Sequence, residues 1–220
     1  TTLFRSLAEK EGLIARVTDY VIEELYQDLG AFLAAHPELY ISINLSASDF
    51  HSARLIALIE QKNRQFGVKA HQIKIEVTER GVIDVTKTAP VVQAFRRSGF
   101  EIAIDDFGTG NSSLSWLEKL HPDVLKIDQS FTTAIGTDAV NSTVTDMIIA
   151  LGQRLNIELV AEGVETEEQA RYLRRHGVPV LQGFFYARPM PLRDFPKWLA
   201  GSSSPPAHHN GHIVPLMPLR

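Results

Sequence analysis

The stretch EIAIDDFGTG, residues 101–110, joins an alternating apolar run to two adjacent carboxylates and a glycine-containing turn. The run has the period and length of a β-strand, so Asp105 and Asp106 are predicted where that strand ends. Neighbouring side chains on an unbroken strand point to opposite faces, and the pair therefore suits two nearby cations better than one. A solvated Asp-Asp turn is the simpler alternative. The Asp-Phe-Gly of protein kinases is set aside, because its glycine-rich and His-Arg-Asp loops are absent.

Length and composition narrow the class of protein. With 220 residues, of which 44% are apolar and 22% charged, the chain can build one sizeable core of ordinary globular type. A net charge of −4 does not indicate a cationic face for duplex nucleic acid. Because the sequence has no cysteine, a metal would be held by oxygen or imidazole. No apolar run approaches the roughly 20 residues of a membrane span, so we expect this stretch of chain to be soluble.

Apolar periodicity predicts alternating strands and helices along the chain. Strands are predicted at residues 40–46, 72–78, 101–105, 124–128, 159–162 and 180–183. Helices are predicted at residues 13–35, 53–66, 89–98, 114–120, 142–155, 167–176 and 192–199. Strands followed by helices at intervals of roughly 20 to 35 residues are typical of parallel βα units. Residues 3–12 are predicted as a short helix or loop, and the histidine-containing residues 200–220 as a flexible tail.

Polar residues distinguish the two common parallel arrangements, an open doubly wound sheet and a closed barrel. An open nucleotide-binding sheet has a Gly-x-Gly-x-x-Gly turn near its start, which this sequence lacks. Polar residues lie at or near the carboxyl ends of six different predicted strands: Asn44, Glu76, Asp105, Lys126, Glu162 and Gln182. A barrel brings such ends together at one mouth, where these barrels keep their active sites. We therefore predict an α/β fold, a TIM-like (β/α)8 barrel, over residues 1–199.

These residue types suit metal-dependent hydrolysis. Asn44, Glu76 and Asp105 are hard oxygen ligands for Mg²⁺ or Mn²⁺, and Asp106 is placed to bridge to a second ion. Two such ions would activate a water and neutralise the charge on a phosphodiester under in-line attack. Lys126 would orient that water or stabilise the oxyanion, or it would only form an internal salt bridge.

Other polar residues near the predicted mouth have supporting roles. Glu79 leaves the strand and is better placed to brace a loop than to bind a metal. Glu162 and Glu165 flank a Gly-Val pair, so one would face the metals while the other anchors the turn. Gln182 offers a donor and an acceptor to a nucleobase edge, and residues 184–186 either stack a purine or pack in the core. Enolase-like proton abstraction and a Schiff-base aldolase remain open on these residues alone.

Six ordered motifs indicate a family. They are NLS (44–46), EVTE (76–79), DDFGTG (105–110), KID (126–128), EGVE (162–165) and QG (182–183). In this order and spacing they resemble the EAL domain of cyclic di-GMP phosphodiesterases, over about residues 3–199. The resemblance implies a TIM-like barrel that uses two Mg²⁺ or Mn²⁺ ions to hydrolyse cyclic di-GMP to linear pGpG in bacterial signalling.

The resemblance also implies roles for the oxygen ligands. Asn44, Glu76 and Asp105 resemble ligands of the first ion. Asp105 and Asp106 resemble ligands of the second ion, and Glu162 resembles a further acid of the metal site.

Four further roles are implied around the metals. Lys126 resembles the residue that holds the attacking water, and Gln182 resembles a substrate contact. Glu79 and Glu165 resemble supports of the loop that follows the paired aspartates. In family members that loop helps dimerisation, so a homodimer is expected.

The sequence departs from the family pattern in two places. Asn111 stands where the family commonly has tyrosine, on the supporting loop, and we expect little effect. The Glu-Ala-Leu motif that names the family is absent from the 220 residues. We therefore expect the first two barrel strands upstream of Thr1, in a longer protein. Two hypotheses follow: a phosphodiesterase, or a catalytically inactive cyclic di-GMP receptor that signals through a partner.

Residues 8–13 and 36–45 also resemble a membrane-anchored subgroup of the family that has a periplasmic sensor upstream. This resemblance implies a cytoplasmic domain of an inner-membrane-anchored protein, controlled by an upstream sensor domain.

Overall fold

The structure is a computed structural model that describes residues 11, 13–50, 52–82, 84–110, 114–137 and 140–201. Most of the predicted segment 3–12, the position Asn111 and the tail from residue 202 onward lie outside the described residues. Within the described part of the chain, no helix is both long and apolar enough to cross a lipid bilayer.

Six strands of the described residues form one sheet in which every neighbouring pair is parallel. They are β1 (Ile41–Asn44), β2 (Ile73–Thr78), β3 (Glu101–Phe107), β4 (Val124–Ile127), β5 (Glu158–Ala161) and β6 (Val180–Leu181). The strands lie side by side in chain order, so each βα unit advances the sheet in the same direction. A doubly wound sheet reverses direction at a switch point, whereas a TIM-like barrel does not. The sheet order therefore confirms the predicted barrel class.

Helices precede, connect and follow the strands. They are α1 (Ile14–Ala35), α2 (Ala47–Phe50), α3 (Ala53–Phe66), α4 (Val85–Arg97), α5 (Leu114–Leu120), α6 (Gln129–Thr133), α7 (Val140–Leu155), α8 (Glu167–Arg175) and α9 (Phe195–Gly201). Local sequence sets their bounds. Helix α8 begins at a capping box made by Thr166 and Gln169, and helix α3 ends at Gly67, whose φ of +77° favours glycine.

Helix α4 begins earlier than predicted, at Val85 rather than at residue 89. The Asp84 side chain caps it by accepting a hydrogen bond from Lys87 N, and Pro90 lies inside the helix. The short helices α2 and α6 were not predicted, because fewer than two turns show no apolar period.

The end of the predicted barrel differs in two details. Strand β6 stops at Leu181, so Gln182 lies just beyond it. The last helix begins at Phe195 because residues 192–194 form a 3-10 turn.

The two faces of the sheet differ in composition. Alternate strand residues, such as Ile73, Ile75 and Val77, join the helices in the main hydrophobic core. The residues between them point to the inner face, because successive strand side chains alternate. A separate apolar cluster on neighbouring strands of that face contains Ala103, Val124, Val160 and Val180.

A polar layer lies where the strands begin, on the same inner face. Lys74 Nζ is 3.0 Å from both Glu101 Oε2 and Glu158 Oε1, and it lies 4.2 Å from the centre of the Tyr40 ring. We call Lys74, Glu101 and Glu158 the floor. A second polar layer lies on the same face at the carboxyl ends of the strands.

Candidate active site

The predicted polar residues lie at the carboxyl ends of the strands. Asn44 is the last residue of β1, and the strand register sets it opposite Glu76 of β2. Asp105 and Lys126 lie near the ends of β3 and β4, and Glu162 directly follows β5. Because parallel strands present the same ends at the same edge, all five lie on one side of the sheet.

Lys126 is the centre of this group. Its Nζ lies 2.8 Å from Glu76 Oε2, 2.9 Å from Asp105 Oδ1 and 2.7 Å from Glu162 Oε1. The Asn44 amide donates a hydrogen bond to the same Glu76 oxygen at 3.1 Å. The side chains of Lys126 and Glu76 are each only 6% exposed. The structure thus brings five of the predicted residues together.

Asp106 joins them through an irregularity in β3. The strand continues to Phe107, rather than ending at Asp105 as predicted, and its register with β4 shifts between Ile104 and Phe107. Asp106 has a positive φ of 54° there. A bulge of this kind breaks the strict alternation of a strand, and oxygen atoms of Asp105, Asp106 and Glu162 lie within 4.8 Å of one another. We call Asp106 and the five residues above the mouth.

The mouth holds four carboxylates and one lysine. Asp106 is exposed, and the other three carboxylates, which are at most 20% exposed, leave excess negative charge around the single ammonium. Burial raises the pKa of Glu162 to about 7, an effect that Lys126 opposes and Asp105 reinforces. Burial alone would lower the pKa of Lys126, but Glu76, Glu162 and Asp105 raise it well above its ordinary value. The lysine is therefore a permanent cation and hydrogen-bond donor at neutral pH, and not a base.

The donor set of the mouth fits divalent cations. Asp105 Oδ1 is buried and has no hydrogen bond from the described residues, although its distance from Lys126 allows ion pairing. Clustered carboxylate oxygens are the ligands that Mg²⁺ and Mn²⁺ prefer. Cations bound here would also offset the excess negative charge.

Glu79 lies outside the mouth and holds the loop after β3. It belongs to the 3-10 turn that follows β2, and it is buried. Its Oε2 accepts hydrogen bonds from Gly108 N at 3.0 Å and from Gly110 N at 3.3 Å. A Cβ atom at Gly110 would overlap the Glu79 carboxylate, so this contact requires glycine there. These two hydrogen bonds are the contacts that the predicted support of this loop requires, and the role of Glu79 stays a prediction.

Glu165 lies apart from these residues. Its side chain is exposed in the turn between β5 and α8, and its backbone N–H donates to Gln169 Oε1 at 2.8 Å. Within the described residues, its carboxylate has no hydrogen bond to the loop that Glu79 holds. The two predicted loop supports are therefore not brought together, and the role of Glu165 stays a prediction.

Gln182 extends the pairing of β5 and β6 beside the mouth. Its N–H donates to Ala161 O at 2.8 Å, and its carbonyl accepts a hydrogen bond from Val164 N at 3.0 Å. A Cβ atom at the next residue, Gly183, would overlap the Val164 backbone, so the two segments approach closely there. This pairing fixes the backbone from which the Gln182 amide projects.

The aromatic residues after Gln182 differ in exposure. Phe184 and Phe185 are exposed, and the Arg188 guanidinium lies 4.5 Å from the centre of the Phe184 ring. Tyr186 packs against the hydrophobic core. The sequence left two uses open for these residues, stacking on a purine and packing in the core. Of the three aromatic residues, core packing fits Tyr186 but not Phe184 or Phe185.

One buried carboxylate near the mouth was not predicted from the sequence. Asp49 lies in α2, is 2% exposed, and accepts hydrogen bonds from the hydroxyl groups of Thr18 and Ser46. Its backbone N–H donates to Ser46 Oγ at 3.1 Å. The spacing Ser46-x-x-Asp49 is that of a helix capping box, and this pattern would have indicated the contact.

Fold and mouth together define a class of protein. A parallel βα sheet that winds in one direction, with clustered carboxylates around a lysine at the strand ends, is a TIM-like barrel with an acidic site suited to metals. The chain belongs to the EAL domain family, whose sequence profile matches residues 1–189.

Named relatives and solved structures agree with this assignment. The chain is 57% identical over 222 residues to the probable cyclic di-GMP phosphodiesterase PdeD of Escherichia coli K12, a match that covers 99% of the chain and 40% of PdeD. Its structure matches the PaMucR phosphodiesterase in complex with c-di-GMP with a TM-score of 0.82 and 36% identity, over 88% of this chain and 79% of that one. For the manganese and cyclic di-GMP complex of Klebsiella pneumoniae BlrP1, the TM-score is 0.70 and the identity 30%, over 79% of this chain and 44% of that one. The chain thus spans about 40% of the length of PdeD.

Proposed function

We propose that this chain is a cyclic-guanylate-specific phosphodiesterase that hydrolyses cyclic di-GMP to linear pGpG. One observation carries the proposal: oxygen atoms of Asp105, Asp106 and Glu162 lie within 4.8 Å of one another, beside the Lys126 ammonium. The name of PdeD supports the reaction, and the ligand in the PaMucR structure supports the substrate.

The lysine argues against a Schiff-base aldolase, one of the reactions left open by the residue types. Such an enzyme needs an unprotonated amine as its nucleophile. Three carboxylates surround the Lys126 ammonium and keep its pKa well above the ordinary value. This environment suits a fixed cation that donates hydrogen bonds.

Two divalent cations, Mg²⁺ or Mn²⁺, belong to the proposal. Asn44, Glu76 and Asp105 would hold the first, and Asp105 and Asp106 the second, with Glu162 as a further acid of the site. When bound, such ions activate a water and neutralise the negative charge that develops on a phosphodiester. The manganese complex of BlrP1 supports this choice of metal.

The side chains themselves supply position and hydrogen bonds. Lys126 would hold the attacking water or a phosphoryl oxygen, because its ammonium is fixed among the proposed metal ligands. Glu79 keeps the loop after Asp106 in place, and Glu165 is proposed as a second support. Gln182 would offer its amide donor and acceptor to the edge of a guanine base.

The first test is manganese-dependent conversion of cyclic di-GMP to pGpG, followed by chromatography. It is run on this chain and on one extended upstream by about 45 residues, enough for two more βα units. We expect the extended chain to turn over in Mn²⁺ and to stop in EDTA. Two folded chains that both fail to turn over in Mn²⁺ would contradict the proposal.

A receptor that binds cyclic di-GMP without hydrolysing it is the second candidate. It is favoured by the exposed pair Phe184 and Phe185 next to Gln182, which offers a nucleobase a flat surface that needs no metal. Titration calorimetry in EDTA separates the two candidates. Nucleotide binding that persists in EDTA, together with no turnover in Mn²⁺, would identify the receptor.

The assembly around the domain is also a proposal. By resemblance to the family, we propose a homodimer, an upstream sensor domain and attachment to the inner membrane, with this domain on the cytoplasmic side. Light scattering on the purified protein, with and without cyclic di-GMP, tests the dimer. A monomer under both conditions would contradict it.

A further inference from the structure

A buried carboxylate behind the mouth has no role in the proposed chemistry. Asp49 is 2% exposed, and it makes no salt bridge with another described residue, although Arg54 feels its charge. Its Oδ2 accepts hydrogen bonds from Thr18 Oγ1 at 2.6 Å and from Ser46 Oγ at 2.7 Å. Burying a carboxylate is costly unless hydrogen bonds satisfy it. The two hydroxyl groups provide that compensation from different segments, α1 and the turn after β1.

The turn that Asp49 holds carries a proposed metal ligand. Ser46 lies two residues after Asn44, and its hydroxyl both donates to the Asp49 carboxylate and accepts from Asp49 N. Leu45, which lies between Asn44 and Ser46, donates its backbone N–H to Glu76 O at 2.9 Å. Residues 44–46 are therefore fixed by β2 on one side and by the Asp49 carboxylate on the other.

We propose that Asp49 is a positioning residue that sets Asn44 for the first cation. The inference rests on the proposed metal site and adds a residue to it. The Asn44 amide already donates to Glu76 Oε2 at 3.1 Å, so rotation or displacement of the turn would move the amide oxygen that would bind the ion. Groups that orient metal ligands typically change metal affinity about 10–100-fold when they are lost. Thr18 makes this position depend on α1.

The chain offers a matched control on the same helix. Asp19, the neighbour of Thr18, forms a salt bridge with Arg54 at the start of α3. This contact also ties α1 to the segment that follows β1. Arg54 is close enough to feel the charge of Asp49, but among the described residues its salt bridge is with Asp19 and not with the Asp49 carboxylate. Loss of the Asp19 charge therefore tests whether a general loosening of α1 is enough to disturb the metal site.

The experiment measures Mn²⁺ binding directly on the full-length protein, from the electron paramagnetic resonance signal of the free ion. We expect Asp49→Asn and Thr18→Val each to raise the dissociation constant of Mn²⁺ about 10-fold. Thr18→Ser keeps the hydroxyl group and should restore parent affinity, and Asp19→Asn should leave it unchanged. Saturating Mn²⁺ should recover most of the parent kcat in Thr18→Val, because the defect lies in metal affinity.

Two results would overturn the inference, and they differ in what else they overturn. Parent-like Mn²⁺ affinity in folded Asp49→Asn or Thr18→Val, while the parent binds Mn²⁺, refutes the positioning role alone. No Mn²⁺ binding by the folded parent refutes the metal site and the role of Asp49 with it. If Asp49→Asn does not fold, the pair Thr18→Val and Thr18→Ser decides the question, because both retain the buried carboxylate.

Discussion

The floor and the mouth are two polar layers on the same face of one sheet, and each surrounds a buried lysine. In the floor, Lys74 faces two glutamates whose side chains are 43% and 41% exposed, so solvent screens part of their negative charge. In the mouth, Lys126 faces three carboxylates that are at most 20% exposed, and Asp106 adds a fourth acid. The layers differ in how many buried negative charges surround one lysine.

This difference shows how a structural ion-pair network can be distinguished from a metal-binding site. The floor is balanced by its own lysine and by solvent, as surface-connected ion pairs commonly are. The mouth is not balanced by the described side chains, and Asp105 Oδ1 lacks a hydrogen bond from them. Excess buried charge, rather than the presence of salt bridges, points to cations at the mouth.

The largest expected effect compares two acids on β3, Asp105 of the mouth and Glu101 of the floor. Asp105→Asn should lower kcat by well over 100-fold and abolish tight Mn²⁺ binding, because even the loss of a group that only orients a metal ligand costs about 10–100-fold in metal affinity. Glu101→Gln should leave both within about threefold, because among the described residues its carboxylate pairs with Lys74 of the floor and not with the mouth. Steady-state hydrolysis and free Mn²⁺ measurements check the pair. Unchanged hydrolysis in Asp105→Asn would remove the basis of the proposed metal site.

Replacing the two lysines tests the same difference between mouth and floor through the cation of each layer. Lys126→Met should lower kcat about 100-fold while Mn²⁺ still binds, because it deletes a fixed donor and leaves the carboxylates. Lys74→Met should leave kcat near the parent value and lower the free energy of unfolding by about 2 kcal/mol, the scale of hydrogen bonds to charged groups. Urea unfolding and steady-state kinetics on both variants provide the measurement. The reverse pattern, with activity lost only in Lys74→Met, would assign function to the floor.

The polar residues of the mouth were easier to predict from the sequence than the irregular backbone that brings Asp106 to them. Asn44, Glu76 and Lys126 were recognisable because apolar alternation locates a strand and the polar residue marks its end. Parallel pairing then brings those ends together without further information. The bulge at Asp106 was not predictable in this way, because alternating Ile102 and Ile104 give no sign of a register shift later in the strand.

Other features depended on tertiary contacts that periodicity does not contain. The floor lies at the beginnings of strands, and Lys74 alternates with Ile73 and Ile75 as an exposed residue would, although its side chain is only 7% exposed. Asp49 belongs to a helix of four residues, and its partner Thr18 comes from a distant segment. Apolar periodicity locates strand ends, but not the buried polar contacts behind them. Of these contacts, the one between Ser46 and Asp49 has a local sequence pattern, whereas the contact with Thr18 has none.

Glu162 gives the metal-free mouth a pH dependence. Its pKa of about 7 in the folded chain lies above the ordinary 4.5, so the folded chain binds more protons than the unfolded chain between those values. The free energy of unfolding in EDTA should therefore fall as pH rises from about 4.5 to about 7, by on the order of 3 kcal/mol, and stay at the lower level above that. Urea unfolding at about pH 5 and about pH 8 measures the change.

The matched variant for this prediction is Glu162→Gln, which should flatten the dependence because it has no proton to lose. Saturating Mn²⁺ should reverse the trend in the parent, since the deprotonated carboxylate is the form that binds the ion. An equal slope in the parent and in Glu162→Gln would show that other groups control the pH response.

The smallest expected effect concerns the Tyr40 hydroxyl next to the floor. Like Asp105 Oδ1 in the mouth, it is a buried oxygen that lacks a hydrogen bond from the described residues. Tyr40→Phe keeps the ring that Lys74 contacts and removes a hydroxyl group that has no hydrogen bond from the described residues. The free energy of unfolding should therefore stay within about 1 kcal/mol of the parent value. Mn²⁺ affinity and kcat should not change, because the Tyr40 hydroxyl is not a proposed metal ligand and has no hydrogen bond to the mouth among the described residues. A drop in Mn²⁺ affinity in this variant would mean that the two layers are coupled through the inner face, and that charge excess alone does not delimit the site.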